Sequence, residues 1–548
     1  AKVYTQTFNP TGSLALSALL AALPLVTLLA LLGGLKWKAH WAGLASLAVA
    51  LAVAVVGYGM PGAQALNAGA FGAAFSVLVI LWLTFNAIWI YHLTVETGHF
   101  AVLRRSFAAV SDDSRIQAVV IAFCFGALLE ALAGGGSPIA ICAVMLIAVG
   151  FAPLKAAAIA LVANTAPVAF GGLGNPVTVL GEVTGMPADA FGAMAGRQTS
   201  ILAIVVPFIL VFLADGRRGL RQAWPAALVG GLSFGVAQFA FSNYFSYKLC
   251  DIFAALISAA ALITLNRFWR PAPANDLPTA PVVAGGAAED PAFDRRTGPP
   301  EGDGVRERLL AFSPYAIIVV LFSLAQIPAI KAVLDAPTIL FDWPGLEIVS
   351  PAGDAVSVEF KLNWASATGT LLFLSGLLTA ALLRIRPSAV VRVYGRTIRQ
   401  FGWAIFTILC VFALSYVMNL SGQISTLGLW LATAGAFFAF LSPVVGWFGV
   451  VVTGTDAGAN ALFGNLQVTA AEQIGASPEL LGAANSSGGV MAKMISPQSL
   501  AVGTAAVGLV GSEGVLFRRV FGWSVGMLLL LCVLVYLQST PVLGWTVV

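Results

Sequence analysis

One aspartate and one lysine stand in sequence that otherwise reads as membrane-spanning. Asp456 lies in GTDAGANALFGNLQ (454–467) and Lys493 in GAANSSGGVMAKMISPQSL (482–500), with Asn460, Asn485, Ser486, Ser487, Ser496 and Gln498 alongside. At membrane depth a charged side chain costs a few kcal/mol unless it faces a cavity or a partner. Glycine and proline let the backbone leave the helical path, which is tolerated there only inside protein or beside water. The first reading is a polar site built from broken helices. A half-helix N-terminus offers free N–H groups and a partial positive charge, which suits a small carboxylate. Asn and Ser side chains can donate to carboxylate oxygens and accept from a substrate hydroxyl. Lys493 supplies a point charge to an anion or to Asp456.

An earlier stretch carries the same kind of residues. FCFGALLEALAGGGSPIAICAVMLIAVG (123–150) places Glu130 before a glycine run and Ser137, and ALVANTAPVAFGGLGNPV (160–177) carries Asn164 and Thr165. Asn164 precedes Pro176 by twelve positions, as Asn485 precedes Pro497. Each segment follows a Gly-x-x-Pro turn, Gly150/Pro153 and Gly475/Pro478. Paired interrupted segments in two halves point to a transporter binding site. Out of water, Glu130 and Asp456 are both candidates to carry a coupling proton. Arg197 is a weaker candidate for attracting an anion, and the histidines (His40, His92, His99) fall near expected membrane interfaces.

The elements that must position these residues follow from composition. Of 548 residues, 59% are hydrophobic and 9% charged, against roughly a quarter charged in a soluble domain. Apolar runs near the spanning length of about 20 residues recur throughout. The expected fold is an all-α polytopic membrane protein of about 12–14 transmembrane helices, with two inverted repeats, broken helices and re-entrant hairpins. The expected organisation is an N-terminal half (1–268) with a hairpin and break at 125–177, a flexible cytoplasmic linker (269–308), and a C-terminal half (309–548). The C-terminal half holds an extracytoplasmic insert (331–363), with short β-like pieces, and a second hairpin and break (444–500). Proline, glycine and charge dominate the linker, which has too little apolar surface to offset ordering entropy. Five scattered cysteines without CxxC spacing indicate neither a disulfide framework nor a zinc site, and no cofactor or metal is expected. The net charge of +4 gives no case for nucleic acid. Basic residues cluster in alternate loops (Lys36/Lys38, Arg104/Arg105/Arg115, Arg217/Arg218/Arg221, Arg267 to Arg308, Arg384 to Arg399, Arg518/Arg519), the side expected to be cytoplasmic. Both termini then lie outside. The start lacks a basic n-region and cleavage site, so no signal peptide is expected there.

At these residues the chain resembles the lactate permease family. GWFGVVVTGTDAGANALF (446–463), AANSSGGVMAKMISPQS (483–499), AVGTAAVGLVG (501–511), GFAPLKAAAIALVANTAPVAFGGLGNPV (150–177) and QTFNPTGSLALSALLAALPL (6–25) carry the resemblance, which extends over essentially the whole chain. It implies import of L-lactate, D-lactate and glycolate with a proton across a bacterial inner membrane, with lipid as the surrounding partner. It also implies membership of a wider ion-transporter superfamily with paired Asn-Thr motifs at hairpin tips and an elevator mechanism. Asn164-Thr165 and Asn485-Ser486 match those positions. The chain departs from the family in Ala457, Gly458 and Ala459 after the aspartate, in Ser486 where threonine is usual, and in Gly135, Gly136 and Ser137.

The leading reading is therefore a proton-coupled importer of short 2-hydroxy monocarboxylates. A sodium-coupled or uncoupled carboxylate transporter or channel is the alternative. A membrane-embedded enzyme is the third reading, but HExxH does not occur and Asp456 has no obvious aspartyl partner in a matching motif.

Overall fold

The computed structural model describes residues 2–132, 137–273, 303–325, 327–400, 402–509 and 512–548. The chain is helical almost throughout, as expected. Among the described residues, eight helices are long and apolar enough to cross a membrane, or up to ten if each bent pair is one span. Three shorter apolar helices accompany them: Leu14–Leu29, Pro138–Ile147 and Thr368–Leu382. The stretch Ala188–Tyr244 counts once, yet Asp215 and Gly216 leave helical geometry in its middle and fold it into a helical hairpin.

Two outer groups of helices flank the polar segments. In one, Leu14–Leu29, Ala39–Ala52, Gly62–Ser76, Gly402–Ser421 and Gln423–Leu431 pack on one another. In the other, Trp82–Glu96, His99–Ala108, Val305–Ala325, Thr368–Leu382 and Pro387–Gln400 do so. The helix at Val305 starts inside the expected linker, since Arg306, Glu307 and Arg308 are good helix formers that extend the span. Most of the linker, and Gly135 and Gly136, lie outside the described residues. The insert begins with the helix Pro328–Asp335 and carries Ile339–Asp342 antiparallel to Glu359–Leu362. Between these strands, Ile348–Val349 pairs in parallel with Tyr4–Thr5, tying the N-terminal segment to the insert.

Two hairpins lie at the centre. The first runs up through Ser114–Leu132, wholly buried, and returns as Ser137–Val149. At its base, Arg115 is fully buried and joins Asp113 (2.8 Å), Asp215 (3.3 Å) and Gln222 (2.6 Å), clamping the hairpin to the break in Ala188–Tyr244. The second runs through Phe438–Thr453, turns at Gly454 (φ 77°) and returns as Asp456–Ile474.

Each hairpin is followed by a broken helix, and the two share a register. The first has Pro153–Ala163, a 3-10 turn at Val168–Phe170 and then Gly171–Thr184, with a bend of 59°. The second has Pro478–Ala492, a 3-10 turn at Lys493–Ile495 and then Pro497–Ala506. Gly171 (φ −62°, ψ 156°) and Ser496 (φ −63°, ψ 141°) leave the two turns in the same extended conformation. Each stands eighteen residues past its turn proline (153 to 171, 478 to 496). This register corrects the pairing read from the Asn-to-Pro spacing. Asn164 matches Gly489, and Asn485 matches Ala160. Asn164 caps its helix at the break. Asn485 and Ser486 sit inside an unbroken helix, because that helix continues to Ala492 before it unwinds.

Candidate functional site

The second half builds the denser polar cluster. Thr455 caps the helix Asp456–Ile474 by accepting from Gly458 N at 3.0 Å, which puts Asp456 in the first turn. Asp456 and Asn460 then share a face at i, i+4. Ser486 Oγ donates to Asp456 Oδ2 at 2.6 Å, and Asn460 Nδ2 reaches Ser486 Oγ at 3.1 Å. Asn485 Nδ2 donates to Asn460 Oδ1 at 2.9 Å and accepts on Oδ1 from Gln467 at 3.1 Å. Gln467 in turn holds Ser442 across the hairpin (2.6 Å and 2.9 Å). Thus Asp456, Asn460, Asn485 and Ser486 form one buried network.

Lys493 follows Ser486 on the same face, seven residues on. Its Nζ donates to the Gly454 carbonyl at 2.8 Å, at the C-terminal end of Phe438–Thr453, where a cation is favoured. Lys493 is 4% exposed and lies within electrostatic reach of both Asp456 and Glu130. It therefore bonds a backbone carbonyl while lying within electrostatic reach of carboxyls from both halves. Glu130 is held by Asn164, whose Nδ2 donates to Oε2 at 3.1 Å. Gly171 passes so close that a β-carbon there would lie 2.7 Å from Glu130 Oε1. At Gly489, the counterpart of Asn164, a β-carbon would collide with Asp456 Oδ1. The halves meet where Asn460 Nδ2 donates to the Pro176 carbonyl at 2.9 Å.

Three buried oxygens here have no protein partner among the described residues: Asp456 Oδ1, Asn164 Oδ1 and Asn175 Oδ1. All are acceptors. They call for donors, which a substrate hydroxyl, a proton or water supplies.

Other sequence candidates stand apart. Ser487 faces the opposite way and donates to Gln198 Oε1 at 2.7 Å, a contact to Ala188–Tyr244. Thr165 returns its hydroxyl to the Val162 carbonyl, filling a backbone vacancy at the break. Ser496 caps the helix Pro497–Ala506, accepting from Ser499 N at 3.3 Å, so that N-terminus is already engaged by its own chain. Gln498 is exposed beside the hairpin tip, where a β-carbon on Gly454 would lie 2.9 Å from its Oε1. Ser137 opens the descending helix of the first hairpin. Arg197 bonds Asn243 (3.0 Å) and the Thr546 carbonyl (2.9 Å), and His40 stacks on Trp403. Sequence reasoning missed Gln467, Ser442 and Asn175. Gln467 was within reach, being seven residues beyond Asn460 on the same helix face.

Comparison with known proteins places this geometry in context. The L-lactate permease family model matches residues 17–542. The L-lactate permease of Escherichia coli strain K12 is 39% identical, with all of both chains covered. That of Bacillus subtilis strain 168 is 38% identical over 99% of this chain and 100% of its own. The glycolate permease of E. coli K12 is 41% identical over 94% of each. Among solved structures, the Alcanivorax borkumensis YdaH transporter covers 97% of this chain and 99% of its own at 14% identity and a TM-score of 0.43, too distant to assign any residue.

Proposed function

The chain belongs to the L-lactate permease family, and on that premise we propose that it is a secondary active transporter importing L-lactate and related short 2-hydroxy monocarboxylates, D-lactate and glycolate among them, together with protons. The observation that carries the coupling is the charge count: two buried carboxyls, Glu130 and Asp456, share one buried lysine. Burying net charge costs several kcal/mol, so a site moving through a membrane favours neutrality. With one carboxyl protonated, the empty site is neutral. Adding a lactate anion and one more proton leaves it neutral again. Anion without proton, or proton without anion, leaves a buried charge.

The unpartnered acceptors fit the substrate. A 2-hydroxyl donating to Asn164 Oδ1 or Asp456 Oδ1 satisfies an oxygen that propionate leaves bare, a difference of about 1–3 kcal/mol. In this reading the carboxylate of the substrate approaches Lys493, Asn460 and Ser486. Asn485 positions them, and Ser137, Thr165, Ser487, Ser496 and Gln498 shape the surrounding breaks.

The mechanism that suits this arrangement is an elevator, in which the hairpins and broken helices move as one body against the outer helices. The halves are inverted repeats in this reading, both termini are extracytoplasmic and the membrane is the bacterial inner membrane. Among the described residues, the polar ties from the hairpins to the outer helices that such motion must break include Asn465 Nδ2 to Asn419 Oδ1 (2.8 Å) and Ser415 Oγ to the Ala461 carbonyl (2.5 Å). Cysteines crosslinked at positions 419 and 465 should stop transport until reduced; transport through the crosslink would sink the elevator.

The decisive experiment is radiolabelled L-lactate uptake into proteoliposomes, with pH and sodium gradients imposed separately. Uphill uptake under the pH gradient alone is expected, with glycolate and D-lactate competing better than propionate. Uptake driven by sodium alone would overturn the proton coupling, and no uptake would overturn the substrate.

A further inference from the structure

The two-acid site leaves a third buried carboxyl unused. Asp251 stands in the first turn of Cys250–Phe268 and is 1% exposed. Gln238, from Ala188–Tyr244, donates through Nε2 to Asp251 Oδ1 at 2.9 Å and to the Ala166 carbonyl at 3.2 Å. Ala166 lies in the unwound stretch two residues past Asn164, the residue that holds Glu130. The amide orientation is fixed by the Ala166 carbonyl, which can only accept, while the hydroxyls of Thr199 (3.1 Å) and Ser200 (3.3 Å) lie against Gln238 Oε1. Nε2 must therefore face the carboxyl, and Oδ1 is an acceptor. Asp251 Oδ2 has no partner among the described residues.

The ionisable groups around it are Glu130, within electrostatic reach from the first hairpin, and the Cys250 thiol, with Sγ 3.8 Å from Oδ1. No cation among the described residues pairs with it. An ionised Asp251 would thus keep one oxygen bare and no countercharge, an arrangement that is strongly disfavoured. A proton on Oδ2 removes the charge and leaves Oδ1 free to accept from Gln238.

We propose that Asp251 is a proton-binding site, taking the proton on Oδ2, and that its occupancy is coupled to that of Glu130 around the first break. Binding converts the carboxylate to the neutral acid and changes no other bond. The site itself stands on geometry alone; its role in coupling rests on the transport reading above. Within that reading, three buried carboxyls stand against one buried lysine in the charge count, so the neutral empty body holds two protons and the loaded one three.

The test begins without substrate. Infrared difference spectra of the purified full-length protein, taken across pH in H2O and D2O, should show a protonated-carboxyl band that Asp251→Asn deletes. Glu130→Gln should retain that band and move its pH midpoint. Gln238→Leu should retain it with a changed frequency, which keeps the test decisive if Asp251→Asn does not fold. A spectrum the same in Asp251→Asn and in the unaltered protein, or a band that answers to sodium instead of pH, overturns the proposal. In proteoliposomes, Asp251→Asn should lower pH-driven lactate accumulation about tenfold more than it lowers lactate exchange. Equal losses assign Asp251 a structural role and overturn the coupling. A protein that shows the band and its Glu130 dependence yet moves no lactate would sink the transport reading and leave this site standing.

Discussion

The two broken helices repeat one backbone and differ in their chemistry. Both unwind through a 3-10 turn and leave it eighteen residues past a turn proline. In the first, the residue facing the acid is Asn164, whose amide bonds Glu130. In the second, the matching residue is Gly489, and Asp456 is served by Ser486 and overlooked by Lys493. The first break is also wider, because Gly172, Leu173 and Gly174 all take left-handed conformations (φ 53°, 57° and 73°). The second is tight and carries the cation. The repeat therefore places one carboxyl beside each break with a different donor: Glu130 takes an amide and Asp456 a hydroxyl, while Lys493 lies within electrostatic reach of both.

The largest effect expected from breaking this comparison is at its unshared element. Lys493→Ala removes the buried cation within electrostatic reach of two buried acids, and leaving such charge uncompensated costs several kcal/mol, about a hundredfold or more in uptake. Initial uptake rates at saturating and limiting lactate would read it, and near-normal uptake would show that the acids need no countercharge. Next comes an exchange of the halves' chemistry. Gly489→Asn should lose about 1–3 kcal/mol of stability through overpacking against Asp456, seen as a lowered melting temperature in detergent. Asn164→Gly should retain folding better but weaken Glu130's hold by a similar amount, and move the pH profile of uptake. If both variants melt and transport alike, the two positions are not the counterparts their register makes them. Ser486→Ala removes the donor to Asp456 and should lower uptake about tenfold, since a hydrogen bond to a charged group contributes about 1.5–3 kcal/mol. Ser487→Ala is the smallest: it loses the Gln198 contact, about 1 kcal/mol of stability, with the apparent lactate affinity unmoved. A large affinity change there would return Ser487 to the site.

Much of the site was legible in the sequence because of where polarity is rare. Asp456, Lys493, Asn460 and Glu130 stood out against apolar surroundings, and burial is what makes such residues need one another. Gln467 carried a readable signal, its spacing from Asn460, whereas Ser442 and Asp251 carried none that separates them from ordinary polar residues in spans. Spacing between like letters misled once: Asn-to-Pro distance paired Asn164 with Asn485, while the fold registers on the turn prolines and the 3-10 exits.

By itself, the sequence determined a helical membrane protein and singled out its two interrupted segments with their acids and lysine, since hydropathy and the cost of buried charge are properties of residue type. Only the tertiary structure decided which carboxyl meets which donor, that one lysine reaches acids from both halves, and that Ser486 faces the site while Ser487 turns away. Those outcomes depend on helix rotation and on close approaches such as Gly489 against Asp456, and a residue's type does not encode the direction in which its helix presents it.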